Sequence, residues 1–190
     1  MVAKEGASLL ARLMKSHPMT TNCLVMSSLS GLAELSQQGM SLMMDKSKKK
    51  KLVDWASVGR YTLLGGVLYA PVLTVWYRWL DKRMPGTGAT IVAKKVAVDA
   101  LVLDVPFYTA FYVAMCTLEG KSRAVTVQEV KEKLLPTVGF IVALWTPAQA
   151  INFRLVPPRW RVVYIAAVTF LEINILAVLK KRPVGEIEAF

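Results

Sequence analysis

Between Arg60 and Arg78 the chain carries no charged residue, and aromatic residues bracket the stretch: Trp55 and Tyr61 before it, Trp76, Tyr77 and Trp79 at its end. A bilayer offers a hydrocarbon layer about 30 Å thick, which roughly 20 helical residues cross. Lipid supplies no partner for an unpaired backbone N–H or C=O, so such a stretch becomes a helix. Indole and phenol rings settle at the headgroup layers, and the two arginines extend their heads toward water. Four further apolar stretches, residues 19–44, 100–118, 134–153 and 162–179, follow the same logic. They predict an all-α integral membrane bundle of four to five hydrophobic helices with proline kinks. The number is four if the polar half of the first stretch, or the end of the fourth that carries Gln149 and Asn152, lies in the interface.

The composition supports this class. Hydrophobic residues make up 54% of the 190, and the mean hydropathy is +0.41, more apolar than an ordinary soluble domain. The formal charge of +11 falls mostly between the apolar stretches, which suits anionic headgroups better than a DNA-reading face and implies no nucleic-acid partner. The densest run, Lys46, Lys48, Lys49, Lys50 and Lys51, is either a contact to anionic lipid, worth about 1 kcal/mol per residue, or a solvated loop. Lysines and arginines divide evenly between the two sides and assign no orientation.

Residues 1–18 are predicted to form an amphipathic segment lying on the membrane, residues 19–182 a single transmembrane domain and residues 183–190 a tail. No apolar run with a small-residue cleavage site marks a secretory signal. Cys23 and Cys116 lie in apolar stretches without metal-type spacing and are read as core, while His17, the only histidine, precedes a proline and is read as surface. With no nucleophile and base, no metal-ligating cluster and no phosphate-cradling glycine loop, the chain is not expected to be an enzyme or to carry a cofactor or metal. Gly65 and Gly66 are read as a packing or bending site.

Residues 67–77, VLYAPVLTVWY, align with residues 102–112, VLDVPFYTAFY, with five of eleven positions identical. Each copy places a proline in mid-span, Pro71 or Pro106, and a threonine three residues later whose hydroxyl can serve backbone groups that the proline frees. Pro147 offers a third kink. Val156-Pro157-Pro158 should turn the chain sharply and leave the fourth and fifth helices as antiparallel neighbours.

Polar side chains inside a membrane cost on the order of 2.5 to 3.5 kcal/mol for Asp at a helix centre, so they pair or line a cavity. Glu34 and Gln38 share a face of the first helix, with Ser27 and Gly31 small enough for close packing. Asp99 and Asp104 lie in or beside the third stretch, Gln149 and Asn152 are one turn apart in the fourth, and Glu172 and Asn174 are in the fifth. Together they suit an aqueous path that favours cations. Singly, each is read first as an interhelical hydrogen bond, worth about 0.6 kcal/mol.

Two sets of residues resemble the Mpv/PMP family of small mitochondrial and peroxisomal membrane proteins. Leu118-Glu119-Gly120-Lys121-Ser122 resembles a loop of that family, and Trp145, Pro147, Gln149, Asn152-Phe153, Val156-Pro157 and Arg161 resemble its C-terminal signature. Asp54, Arg60, Gly66, Pro71, Trp76-Tyr77 and Leu80-Asp81 follow its order upstream. Departures are Ala70 before Pro71 in place of glycine, Thr74 in place of a histidine, Thr146 between Trp145 and Pro147, and Asp99-Ala100 one residue further from Pro106 than usual. The resemblance implies a four-span protein of the mitochondrial inner membrane or, alternatively, the peroxisomal membrane. It is similar to proteins reported to form nonselective channels and to maintain mitochondrial nucleotide pools and DNA.

Two functions are therefore weighed. One is a channel for small solutes or ions, walled by polar faces of the first, third and fourth helices. The other is a non-conducting structural or assembly protein in which the same groups hold helices together. Oligomeric state stays open, a homo-oligomer being one option.

Overall fold

The computed structural model describes residues 2–44 and 53–179. The run from Lys46 to Lys51 and the tail at residues 183–190 lie outside them. The described chain is a helical bundle, and no strand occurs among the described residues. In chain order the helices are α1 (Val2–Ser16), α2 (Pro18–Met44), α3 (Trp55–Arg83), α4 (Ala89–Leu118), α5 (Arg123–Leu155) and α6 (Arg161–Leu179). Among the described residues α3 and α4 are long and apolar enough to cross a membrane. The five expected stretches correspond to α2 through α6. The third helix starts earlier than expected, at Ala89, and takes in the charged Lys94 and Lys95. A charge inside the helix is tolerated there because Lys95 is buried against Asp81, 2.7 Å away.

The proline kinks of the duplicated segment have a defined form. Each long helix changes to a π-helical turn just ahead of its proline, Gly65–Tyr69 in α3 and Asp99–Leu103 in α4. Ala70 N–H donates to Gly65 O in the first, and Asp104 N–H to Asp99 O in the second, both i to i−5 bonds. A proline removes an N–H and crowds the carbonyl four residues back, and a widened turn absorbs the misfit. The threonines act differently from the expectation. Thr74 Oγ1 donates to Ala70 O at 2.6 Å and Thr109 Oγ1 to Val105 O at 2.7 Å. In both copies the bonded carbonyl belongs to the residue before the proline, not to the one the proline frees. Pro147 lies within a continuous α5, with Thr146 Oγ1 bonded to Val142 O.

α2 is the hub. It packs on α3 through a seam of small residues, and α6 lies against it over a long contact. A Cβ added at Gly65 would stand 2.8 Å from Met26 O and 2.5 Å from Ser30 Oγ, and one at Gly66 2.1 Å from Ser27 Oγ. Small residues thus let the backbones approach, which is how helices associate where no hydrophobic effect separates lipid from side chain. Asn22 Nδ2 donates to Thr74 Oγ1 at 3.0 Å across the same pair of helices. At the far end Ser36 Oγ donates to Asn174 Oδ1, joining α2 to α6. The fourth and fifth helices, α5 and α6, are joined by Val156, Pro157 and a 3₁₀ turn at Pro158–Trp160, yet α6 packs mainly on α2. α5 and α6 do meet, Tyr164 Oη donating to Ala148 O at 3.3 Å, and beside that contact both border a cavity, through Trp145 and Gln149 on one and Ile165, Thr169 and Glu172 on the other.

α1 is attached to this body. Its Met14 is 2% exposed, the helix packs on α2 and on the Pro158–Trp160 turn, and exposed His17 separates it from α2. The α4–α5 loop turns at Gly120, φ +70°. Glu129 of α5 gathers the loop: its carboxylate accepts from Cys116 Sγ at 2.8 Å, from Lys121 Nζ at 2.6 Å and from Lys133. These donors hold the carboxyl down at about 2.

Gly65→Ala should cost about 1–3 kcal/mol of stability in detergent, since the Met26 carbonyl cannot retreat. Gly66→Ala should cost less than about 1 kcal/mol, because Ser27 Oγ can rotate away, and thermal unfolding of the two variants measures the difference. The Glu129 clamp has a pH signature. A carboxyl with a folded pKa below its unfolded value of 4.5 contributes stability above that value and loses it as pH falls toward about 2. The melting temperatures of native protein and Glu129→Gln should therefore converge between pH 5 and pH 2 (roughly this window), by a small amount because solvent screens the group.

Candidate functional site

Asp99 opens the π turn of α4 and sits where three helices meet. Trp76 Nε1 on α3 donates to its Oδ1 at 2.7 Å, and Gln149 Nε2 on α5 donates to its Oδ2 at 2.6 Å. The second proton of Gln149 Nε2 goes to Tyr77 Oη at 2.9 Å, and Asn152 Nδ2 donates to Gln149 Oε1 at 3.0 Å. Unpaired, each of these buried groups would cost about 1–3 kcal/mol, so the network specifies how α3, α4 and α5 meet. Asn152 is fully buried, and its Oδ1 has no partner.

Beside this knot lies a cavity of about 200 Å³. Asp99, Asp104 and Glu172 line it together with Tyr61, Tyr69, Tyr77 and Tyr108, and among the described residues no lysine or arginine does. The π turn explains why both aspartates reach it. In a regular α-helix residues five apart point about 140° away from each other, whereas a turn closed by an i to i−5 bond stacks them. Trp145 also borders the cavity. Volume and lining suit a few waters or a small cationic or hydrogen-bonding solute.

Of the residues singled out from sequence, the cavity thus collects Asp99, Asp104, Gln149 and Glu172. Glu34, Gln38 and Asn152 do not line it. Glu34 Oε1 accepts from Gln38 Nε2 at 2.8 Å and from Ser57 Oγ at 2.7 Å, and Gln38 Oε1 accepts from Asp54 N–H at 2.8 Å. Asp54 Oδ1 in turn caps α3 by accepting from Ser57 N–H at 2.9 Å. The start of α3 has free N–H groups to satisfy; Asp54 accepts from one of them, and the polar half of α2 holds the Asp54 backbone and the Ser57 hydroxyl in place. The lining of this cavity comes from α3, α4, α5 and α6.

A second polar cluster sits where α3 and α5 end and α6 begins. Asp81 Oδ1 accepts from Lys95 Nζ at 2.7 Å and from Arg161 Nη1 at 2.5 Å. Arg161 also donates to Val156 O at 3.3 Å and to Phe153 O at 3.4 Å. The Phe153 ring lies under both cations, 5.7 Å from Lys95 Nζ and 5.2 Å from the Arg161 guanidinium carbon, and meets Tyr77 edge to face at 5.5 Å. Asp81, Phe153, Val156 and Arg161 carry the sequence signature. Lys95, 1% exposed, does not stand out in the sequence. Its only signal is a lysine one helical turn, four residues, before Asp99, with Val92 and Val98 on the same face.

A bundle of apolar helices joined by buried hydrogen-bond knots around a carboxyl-lined cavity is a polytopic α-helical membrane protein. The profile of the Mpv17 / PMP22 family matches residues 116–177. An Mpv17-like protein of Xenopus laevis is 31% identical over 94% of this chain and 85% of its own length. Protein SYM1 of Saccharomyces cerevisiae is 30% identical over 82% of this chain and 80% of its own. Peroxisomal membrane protein 2 of Bos taurus is 26% identical over 90% and 87%. The chain belongs to the Mpv17 / PMP22 family. No solved structure matches it.

Removing Asp81 strands two buried cations, whereas removing Lys95 leaves the Asp81–Arg161 pair. Asp81→Asn should therefore lower stability by about 3 kcal/mol, and Lys95→Met by clearly less. Denaturation of both variants in the same detergent checks the order.

Proposed function

We propose that the chain is an organelle-membrane channel for small solutes or ions whose path includes the cavity between α3, α4, α5 and α6, and that it is not an enzyme. The observation that carries this reading is the 200 Å³ space with three carboxyls and no lining cation among the described residues. Such a lining favours cations and small polar solutes over anions, as acidic rings do in other channels. The family resemblance adds the setting: the mitochondrial inner membrane, with the peroxisomal membrane as the alternative, and support of mitochondrial nucleotide pools and DNA.

A non-conducting structural role is the second reading. It is favoured by the saturation of Asp99 and Gln149, whose polar atoms already bind protein partners. Asn152→Leu separates the two. If the knot is only a staple, its loss lowers thermal stability and changes nothing else; if the cavity conducts, the loosened Gln149 alters flux as well.

The direct test is single-channel recording of purified protein in planar bilayers, with Asp104→Asn folded identically. Discrete openings whose cation preference falls in the variant are expected. A well-folded protein that stays silent in both forms refutes the channel.

A further inference from the structure

An apolar groove of about 670 Å³ runs between α4 and α5, walled by Ala93, Ala97, Ala100, Val142, Ala150 and Ile151. Where α5 ends, Arg154 and Leu155 border this groove and also a polar pocket of about 390 Å³. That pocket is lined by Lys95, Arg161, Arg154, Asp81 and Thr87, three cations against one carboxylate. Lys95 and Arg161 are almost wholly buried. Arg154 is exposed and has no ion-pair partner among the described residues. The adjoining N-terminus of α4 begins after Gly88 without a side-chain cap, so its first N–H groups add positive potential on the same side.

We propose that groove and pocket together hold one anionic phospholipid, its phosphate between Arg154, Lys95 and Thr87 and one acyl chain along the alanines of α4. The excess positive charge selects a headgroup with net negative charge, since a zwitterionic lipid brings a cation of its own into a pocket already rich in them. The alanine wall leaves room for a methylene chain, which free phosphate would not fill. Buried Lys95 and Arg161 are preorganised by Asp81 and Phe153, so little order is lost on binding.

The test is native mass spectrometry of the detergent-purified protein with equal amounts of phosphatidylglycerol and phosphatidylcholine of matched chains. One phosphatidylglycerol should be retained in preference. Arg154→Gln, outside the Asp81 cluster, should weaken that retention at least about tenfold while its melting temperature in phosphatidylcholine stays native. Ala97→Leu, which fills the groove, should weaken it as well. Equal retention of the two lipids, or unchanged retention by folded Arg154→Gln, overturns the proposal. So does stabilisation by inorganic phosphate alone that equals the effect of phosphatidylglycerol.

Discussion

In hydrocarbon a backbone or side-chain polar group has no partner but another part of the same chain, and this constraint organises the molecule from the single turn to the bundle. It makes the apolar stretches helical. It also requires that Asp99, Gln149, Glu34 and Lys95 be placed against specific donors and acceptors on other helices. Packing of apolar side chains alone would leave the helices free to slide or rotate, because lipid tails are as good a neighbour as leucine. The two buried knots remove that freedom: Asp99 ties α3, α4 and α5 near the cavity, and Asp81 ties α3, α4 and α6 at the bundle's end.

The duplicated segment shows how backbone irregularity becomes geometry. The same proline and threonine spacing, at Pro71 and Thr74 and again at Pro106 and Thr109, yields the same π turn and the same hydroxyl-to-carbonyl bond. Its use differs between copies. In α3 the widened turn carries Gly65 and Gly66 and is spent on close approach to α2. In α4 it carries Asp99 and brings Asp104 to the same side, so that a local defect in the helix creates the acidic face of the cavity. π turns recur at functional sites because they re-aim side chains without ending the helix.

The candidate site was partly legible. Carboxyls and amides in apolar stretches announce themselves by their cost, and Asp99, Asp104, Gln149 and Glu172 all reach the cavity. Glu34 and Gln38 are equally conspicuous and have another use, holding the Asp54–Ser57 start of α3 against α2, because periodicity reports which residues share a helix face but not which neighbour that face meets. Lys95 was missed for the converse reason. A lysine near a helix end reads as a snorkelling surface residue, and only its partner Asp81, on another helix, makes it a buried one.

The sequence by itself determined the class of the protein: apolar runs of membrane length, aromatic and basic flanks, mid-span prolines and the motif of its family are all local or linear properties. Tertiary structure decided how closely the helices meet, seating α6 mainly on α2 and more lightly on α5, and which polar residues face a shared space. Those outcomes depend on the angular offset that a π turn introduces and on bonds between residues 50 or 80 positions apart, such as Gln149 with Asp99 and Arg161 with Asp81. No window of sequence contains both ends of such a bond, so its energy becomes visible only once the chain has folded.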